Sequence, residues 1–437
     1  MKETYSKDLI SKGDFASYEN RVHLAGAMNI GKSSLASTLI GEKVPTAYHS
    51  TDGLVVHFGR IGIHLEDKKM IPFVQSDSNI LHKIILEKPQ RSTQTANYFQ
   101  EICDGTYRIK VAPSDLIDFG GQRPFDMTHQ LFIHHKGTFI LMFDGRYRLN
   151  TPLKEYPQGD ITAKDILVHW VNSILIYCQP GDDKMPIILF AATHSDVICA
   201  DEISVKKKEF IDELTLLFQS HKQRKHIVCD RLFFIDATNR DDLEIELLKD
   251  ALVDIAFKQP TWGNRISVAW VPLELQISEW RTNGINFLQK EEIKKFNESN
   301  PEFMMNETRL EEFLNLQHSL GKVIYIDQPG LQNFIVIQPK AMIKILRSFV
   351  THEKLWPKDY ELRVILASIA TSGMVEKKQL LSLWSQPQFK QLLPSTEHKE
   401  YIIQVLLHFD ILVEPKCDEE SCETYLVPCL NVEISTD

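Results

Sequence analysis

Nowhere in the chain do apolar residues run for the roughly 18 positions that a helix needs to cross a bilayer. The opening stretch, MKETYSKDLISKGDF, has no apolar core of the kind a secretory signal carries. Positive charge is in the minority: 49 Lys and Arg stand against 59 Asp and Glu, a net charge of −10, with no basic tail. Affinity built on neutralising a phosphate backbone is therefore not expected, and no nucleic-acid partner is assigned. Cysteine is scarce, with seven in 437 residues at positions 103, 178, 199, 229, 417, 422 and 429. An odd, scattered set, partly inside apolar runs such as LIYCQ and HIVCD, reads as reduced core thiols in a cytoplasmic protein. Cys417 and Cys422 lack the matching second pair of a zinc site. The remaining composition, 43% hydrophobic and 25% charged, is that of a globular protein, and the length predicts two or three domains.

What is present is a regular alternation. VHLAGA, YRIKVAPSDLIDF, TFILMFD, MPIILFAA and RLFFID are short and apolar on both faces, as buried strands are. Between them LASTLIG, DILVHWVNSILIYC, EFIDELTLLFQSH and LEIELLKDALVDIAF carry apolar residues at helical spacing. Strands alternating with helices predict an α/β domain with a mostly parallel sheet covered on both faces. Ligands of such sheets sit beyond the carboxyl ends of the strands, and the motifs fall at those ends.

After the first strand comes Gly26-Ala-Met-Asn-Ile-Gly31-Lys32-Ser33, which fits G-x-x-x-x-G-K-[ST] at every fixed position. The glycines let the backbone curl so that successive N–H groups face a phosphate. A helix beginning near Lys32 adds its positive end. Lys32 puts a compact charge on the outer phosphates, and the Ser33 hydroxyl can ligate Mg²⁺. A plain strand-to-helix turn explains the glycines but not the lysine that follows.

Four further strand ends have distinct tasks. Thr51, in Ser50-Thr51-Asp52-Gly53, can complete a Mg²⁺ shell, although alone it is an ordinary turn. Asp118-Phe119-Gly120-Gly121-Gln122 offers a carboxylate for Mg²⁺-bound water, a Gly121 N–H for a terminal phosphate and a Gln122 side chain to orient attacking water. Thr193-His194-Ser195-Asp196 offers a carboxylate that matches the N1–H and N2–H₂ donor pair of guanine, which adenine lacks. An N-cap aspartate before VICADEI would use the same Asp196. Asp236-Ala237-Thr238-Asn239 places backbone amides, Ala237 among them, where a guanine carbonyl can meet them.

With five such loops in order, the chain resembles the small-GTPase superfamily, and within it the Roc branch of the Roco proteins (Ras of complex proteins). THSD in place of N-K-x-D, DFGGQ followed by RPFDMTHQLFIHHKGTFILMF, and the region that follows directly all point there. The resemblance implies a P-loop GTPase domain at 20–258 with a mostly parallel six-stranded sheet. A flank at 1–19 precedes it, and the first, winged-helix-containing part of an α+β COR-like domain follows at 259–437. It implies phosphate binding by Gly26, Asn29, Ile30, Gly31, Lys32, Ser33, Ser34 and Gly121, and Mg²⁺ held by Ser33, Thr51 and Asp118. It further implies guanine recognition by Thr193, His194, Asp196 and Ala237, and catalysis by Gln122 and Lys32. His194 replaces the family's lysine, whose stem packs along the base. About fifty residues, Arg60 to Gly105, separate the second and third motifs, longer than a hairpin needs. Arg123 is a finger by position only.

Beyond the connection QPTWGN, helix, strand, loop and returning strand recur. TRLEEFLNLQHSLGKVIYI with QNFIVIQP is one clear wing, and HKEYIIQVLLHFDILVEP with ETYLVPC is a looser one. From Thr261 onward 18 basic residues stand against 24 acidic ones, and the last wing loop reads KCDEESCE, so these units predict packing against protein rather than DNA. The dimer-forming remainder of COR is not expected in this stretch, so a homodimer belongs to a longer natural chain. The predicted function is a GTP/GDP switch with slow Mg²⁺-dependent hydrolysis, acting on protein effectors or regulators. The alternative is a nucleotide-binding scaffold with little turnover. The string DFG at Asp118 is not a kinase motif, because no H-R-D-x-x-x-x-N precedes it.

Overall fold

The computed structural model describes residues 14–45, 53–73, 110–121, 137–156, 161–176, 178, 185–301, 303–350, 353, 356–415 and 423–430. Thr51, Gln122, Arg123, the polar run QRSTQTAN and nearly all of the wing loop KCDEESCE lie outside them. Two compact units form. The first ends at Leu275 and includes Asn300–Met304; the second comprises Gln276–Ser299 and the chain from Met305 onward.

The first unit is built on a seven-stranded sheet in the order β4-β3-β5-β2-β6-β7-β8. The strands are β2 (Asn20–Gly26), β3 (Leu54–His64), β4 (Lys69–Pro72), β5 (Val111–Phe119), β6 (Thr138–Asp144), β7 (Ile187–Thr193) and β8 (Ile227–Ile235). The run β5-β2-β6-β7-β8 is parallel, while β3 joins β5 and β4 joins β3 antiparallel. The central strands are apolar on both faces because both are covered: Val22, Leu24, Ile140, Met142, Phe190 and Phe233 are at most 1% exposed. Helices α1 (Lys32–Leu39), α2 (Ala163–Leu175), α3 (Ala200–Phe218) and α4 (Leu243–Lys258) lie between or after the strands. The start of α2 is set by a capping box between Thr162 and Asp165, and the start of α4 by Asp242, whose side chain accepts from the Glu244 amide.

The sheet has one strand more than the six expected. The extra strand is the edge piece β4, which follows the turn Leu65–Lys68, with Lys68 at φ 52°. The domain bounds also differ from expectation. Strand β1 (Asp14–Ser17) lies within the expected flank and β9 (Asn264–Ser267) lies past the expected junction at 259, yet the two pair antiparallel. Their backbone bonds draw the 14–17 and 264–267 segments into the first unit, which therefore extends to Leu275.

A buried ion pair fastens the antiparallel side of this sheet. Arg21 on β2 donates to Asp115 on β5 at 2.9 Å, with side chains only 7% and 12% exposed. The other Asp115 oxygen accepts the Gly59 amide at 2.9 Å, at the irregularity in β3 between His57 and Ile61. A bulge leaves a backbone donor outside the ladder, and this carboxylate satisfies it.

The second unit holds the same small motif twice. The first copy runs α5 (Val271–Thr282), of which the part from Gln276 onward belongs to this unit, β10 (Phe287–Gln289), α6 (Lys290–Ser299), α7 (Glu307–Ser319), a bridge at Ile324 and β11 (Phe334–Val336). Helix α8 (Lys340–Arg347) links it to the second: α9 (Tyr360–Ser372), β12 (Met374–Glu376), α10 (Lys377–Leu383), α11 (Pro387–Lys390), α12 (Thr396–His408), a bridge at Val413 and β13 (Thr424–Leu426). The bonds recur position by position. The Ile324–Val336 exchange matches Val413–Leu426, Lys290 N donating to Asn333 O matches Lys377 N donating to Glu423 O, and Ile337 N donating to Asn286 O matches Val427 N donating to Gly373 O. Among the described residues the strand bonds of the two copies are therefore alike, where the sequence suggests one clear and one loose copy. Among the described residues no helix is long and apolar enough to cross a membrane, and Cys199 and Cys229 are free thiols.

Replacing Asp115 with Ala strands a buried guanidinium and the Gly59 amide together. The expected loss is about 3–5 kcal/mol, read as a lowered urea midpoint. Asp115→Ala in an Arg21→Met background is expected to cost clearly less than in the wild type; equal costs in both backgrounds would show that the pair is not what the carboxylate serves.

Candidate functional site

Strand β2 ends in Gly26 at φ 136°, and a side chain there would strike the Met142 carbonyl of β6 and the Ile30 side chain. The chain curls through Ala27, Met28, Asn29 (φ 60°) and buried Ile30 to Gly31 (φ 83°), which precedes α1. Gly31 leads into a helix with no side-chain cap and no acidic residue in its first turn, so no side-chain charge of that turn offsets its positive end. A Cβ at Gly31 would come within 3.2 Å of the Ala237 Cβ, which fixes the loop after β8 beside it. The same loop accepts the Thr38 hydroxyl through the Ala237 carbonyl at 3.1 Å.

Lys32 is 6% exposed, and its Nζ donates to the carbonyls of Gly26 and Ala27. Ser33 Oγ donates to Asp118 Oδ2 at 2.5 Å, which brings the first helix and the end of β5 together. Ser33 and Ser34 are both half-buried. A hydroxyl and a carboxylate are hard oxygen donors, the set that Mg²⁺ takes alongside phosphates and water. Among the described residues no group of three or more His, Cys, Asp and Glu side chains forms a metal cage, so a cation here would need the phosphates as partners. Gly121 lies directly against the P-loop: a Cβ on it would lie 2.6 Å from the Met28 nitrogen. Gly120 N donates to Gly53 O at 2.7 Å, joining the ends of the second and third motifs. Thr51 and Gln122, one on each side of this contact in sequence, lie outside the described residues.

The fourth motif lies at the ends of β6 and β7. Thr193 Oγ1 donates to the Phe143 carbonyl at 3.2 Å, and His194 takes φ 64°. His194 Nδ1 stands 3.0 Å from Thr193 Oγ1 and 3.5 Å from Asp144 Oδ1. Burial lowers the His194 pKa against the opposing pull of Asp144, which favours a neutral ring. Asp196 lies exposed in the short turn Ser195–Val197. Two participants were not singled out in the sequence. Asp144 holds Arg146 in a fork, Nε to Oδ1 at 3.0 Å and Nη2 to Oδ2 at 2.7 Å. Arg146 lies close enough to Asp196 to feel its charge. The signal was available, since Asp144 closes TFILMFD much as Asp118 stands one residue before the end of SDLIDF.

This geometry has counterparts. A solved structure of Methanosarcina barkeri Roco2, described as RocCORdC bound to GDP, matches 96% of this chain and 98% of its own at TM-score 0.58 and 16% identity. The chain has the Roc–COR fold of the Roco proteins. Two Dictyostelium discoideum proteins match in sequence: a probable serine/threonine-protein kinase, pats1, at 23% identity over 98% of this chain, and another, roco5, at 21% over 92%. The Roc–COR chain spans 11% and 13% of those relatives, roughly a tenth of their length. No protein-family model matches it.

Burial holds the Lys32 pKa down to about 8, with Asp118 pulling the other way. A lysine in the unfolded chain titrates near 10.4, so the unfolded state binds more protons between about pH 8 and 10 and stability rises with pH across that window. A phosphate counter-charge raises the pKa again. If the loop takes an anion, binding of sulfate, which has no proton of its own in this range, is therefore expected to take up a proton at about pH 8.5 and none at about pH 6.5. Calorimetry in two buffers of different ionisation enthalpy reads this; equal uptake at both pH values would remove Lys32 as its source.

Proposed function

We propose that this Roc–COR chain binds guanine nucleotide with Mg²⁺ and hydrolyses GTP slowly, as a switch that relays its nucleotide state to the COR part. One observation carries the reading. A glycine-curled loop ends in the buried Lys32, and the Ser33 hydroxyl meets the Asp118 carboxylate of the neighbouring parallel strand at 2.5 Å. Backbone amides, one ammonium and two hard oxygens converging at strand ends suit a phosphate chain with its cation. The M. barkeri Roco2 structure of the same fold is described as bound to GDP, which supports the assignment.

In this reading the amides from Asn29 to Ser34 hold the inner phosphates and Lys32 reaches outward. Ser33, Asp118 and Thr51 would hold Mg²⁺, which when bound neutralises phosphate charge. Asp196 accepts from the guanine edge, the neutral His194 ring lies along the base, and the Ala237 amide meets the carbonyl. Gln122 orients water, so turnover rests on positioning and charge rather than on covalent chemistry. The loops bearing Thr51 and Gln122 would order on the third phosphate and relax after its loss. Effectors, and pairing with a second copy, would read that change.

A hundredfold excess of GDP over its dissociation constant is expected to add about 2.7 kcal/mol of stability in a thermal shift with Mg²⁺, and ATP little. Asp196→Asn is expected to erase that preference, whereas equal shifts by adenine and guanine nucleotides in the wild type would sink the guanine reading. Turnover is tested separately. Gln122→Leu is expected to lower single-turnover GTP hydrolysis well below wild type, and identical near-zero rates would favour a scaffold that binds without turning over.

A further inference from the structure

One tyrosine outside every predicted motif reaches the phosphate loop. Tyr156 lies in the connection from β6 to α2, which is fastened at its base by the Pro152–Thr162 bridge and by Leu153 N donating to Ile161 O at 2.8 Å. Tyr156 N donates to Leu153 O at 3.1 Å, and the half-buried ring packs against the core of the first unit. Its hydroxyl donates to the Gly121 carbonyl at 2.5 Å and accepts the Met28 amide at 3.3 Å. A single oxygen thus bridges the P-loop and the glycine pair that follows Asp118.

The position of the bridge matters. The inner phosphates of a nucleotide belong to the amides nearest the start of α1. Met28 stands four residues before the start of that helix, and Gly121 packs on the Ala27–Met28 peptide. Together they mark the outer end of the cradle, where only a third phosphate reaches. A tyrosine hydroxyl both donates and accepts, whereas an ionised phosphate only accepts. A third phosphate can therefore take over the Met28 amide but cannot satisfy the Gly121 carbonyl, which must turn away once the hydroxyl is displaced.

Resting on the guanine-nucleotide reading above, we infer that Tyr156 is a selectivity latch: its hydroxyl competes with the third phosphate for the outer end of the loop. GDP binds with the latch in place. GTP binds only by breaking it, and breaking it forces the segment after Asp118 to move. The latch thereby biases the chain toward the diphosphate state and ties displacement of one hydroxyl to the backbone of Gly121.

The test is equilibrium titration of the full chain with GDP and with a non-hydrolysable GTP analogue, in Mg²⁺, for wild type and Tyr156→Phe. The substitution keeps the ring and removes the oxygen, and thermal melting checks that the fold is retained. Analogue affinity is expected to rise about fivefold relative to GDP, the factor carried by one neutral hydrogen bond. GDP affinity is expected to stay unchanged. An unchanged ratio overturns the latch, and so does a fall in analogue affinity, which would make the hydroxyl a phosphate ligand. Absence of binding by either nucleotide would overturn the guanine reading and the latch with it, whereas binding with an unshifted ratio overturns the latch alone.

Discussion

The site depends on backbone meeting backbone where no side chain fits. Gly26 abuts the Met142 carbonyl, and Gly121 abuts the Ala27–Met28 peptide. These contacts bring the ends of three parallel strands, β2, β5 and β6, to the same curl of chain. A Cβ at either glycine would push the P-loop off the sheet or the Asp118 strand off the P-loop. The Ser33–Asp118 contact and the bridging tyrosine both require that closeness. Substitution tolerance here is set by space rather than by chemistry, because the groups that face a phosphate belong to the main chain.

The opposite end of the site works on the other principle. Phosphates are common to all nucleotides, so backbone amides suffice to hold them, but a base must be read by side chains. Arg146 would be the natural neutraliser of Asp196, yet its guanidinium is held in a fork by Asp144. The Asp196 carboxylate is left exposed with its acceptor capacity open. Asp144 also sits 3.5 Å from His194, so one strand-end carboxylate disposes both the cation and the ring beside Asp196.

The P-loop, the strand-end carboxylates and the helices around the sheet were legible because each has a local signature: fixed glycine spacing, an apolar run ending in Asp, or a helical period. What escaped had no local signature. Strand β3 contains Gly59 at an irregular register, which breaks the alternation by which a strand is read. Strands β1 and β9 are four residues each and exist through one another, across the whole first unit. The second wing read as looser because its two edges are separated by an acidic loop, yet its bonds repeat those of the first. Tyr156 was invisible for a similar reason, since its meaning lies in two backbone atoms more than thirty residues away.

On the proposed reading, a loop that holds phosphate mostly through backbone has little means of telling two phosphates from three, since amides donate to either. Discrimination has to come from a group whose bonding a phosphate cannot copy. The hydrogen bond from Gly120 to Gly53 makes the consequence mechanical. If the Gly121 carbonyl turns, its neighbour's amide sits at the junction with the strand that follows Thr51, so a disturbance at the outer phosphate reaches both motifs through one peptide. Coupling of this kind needs no long pathway, only a donor–acceptor mismatch at a point where two loops already share backbone bonds.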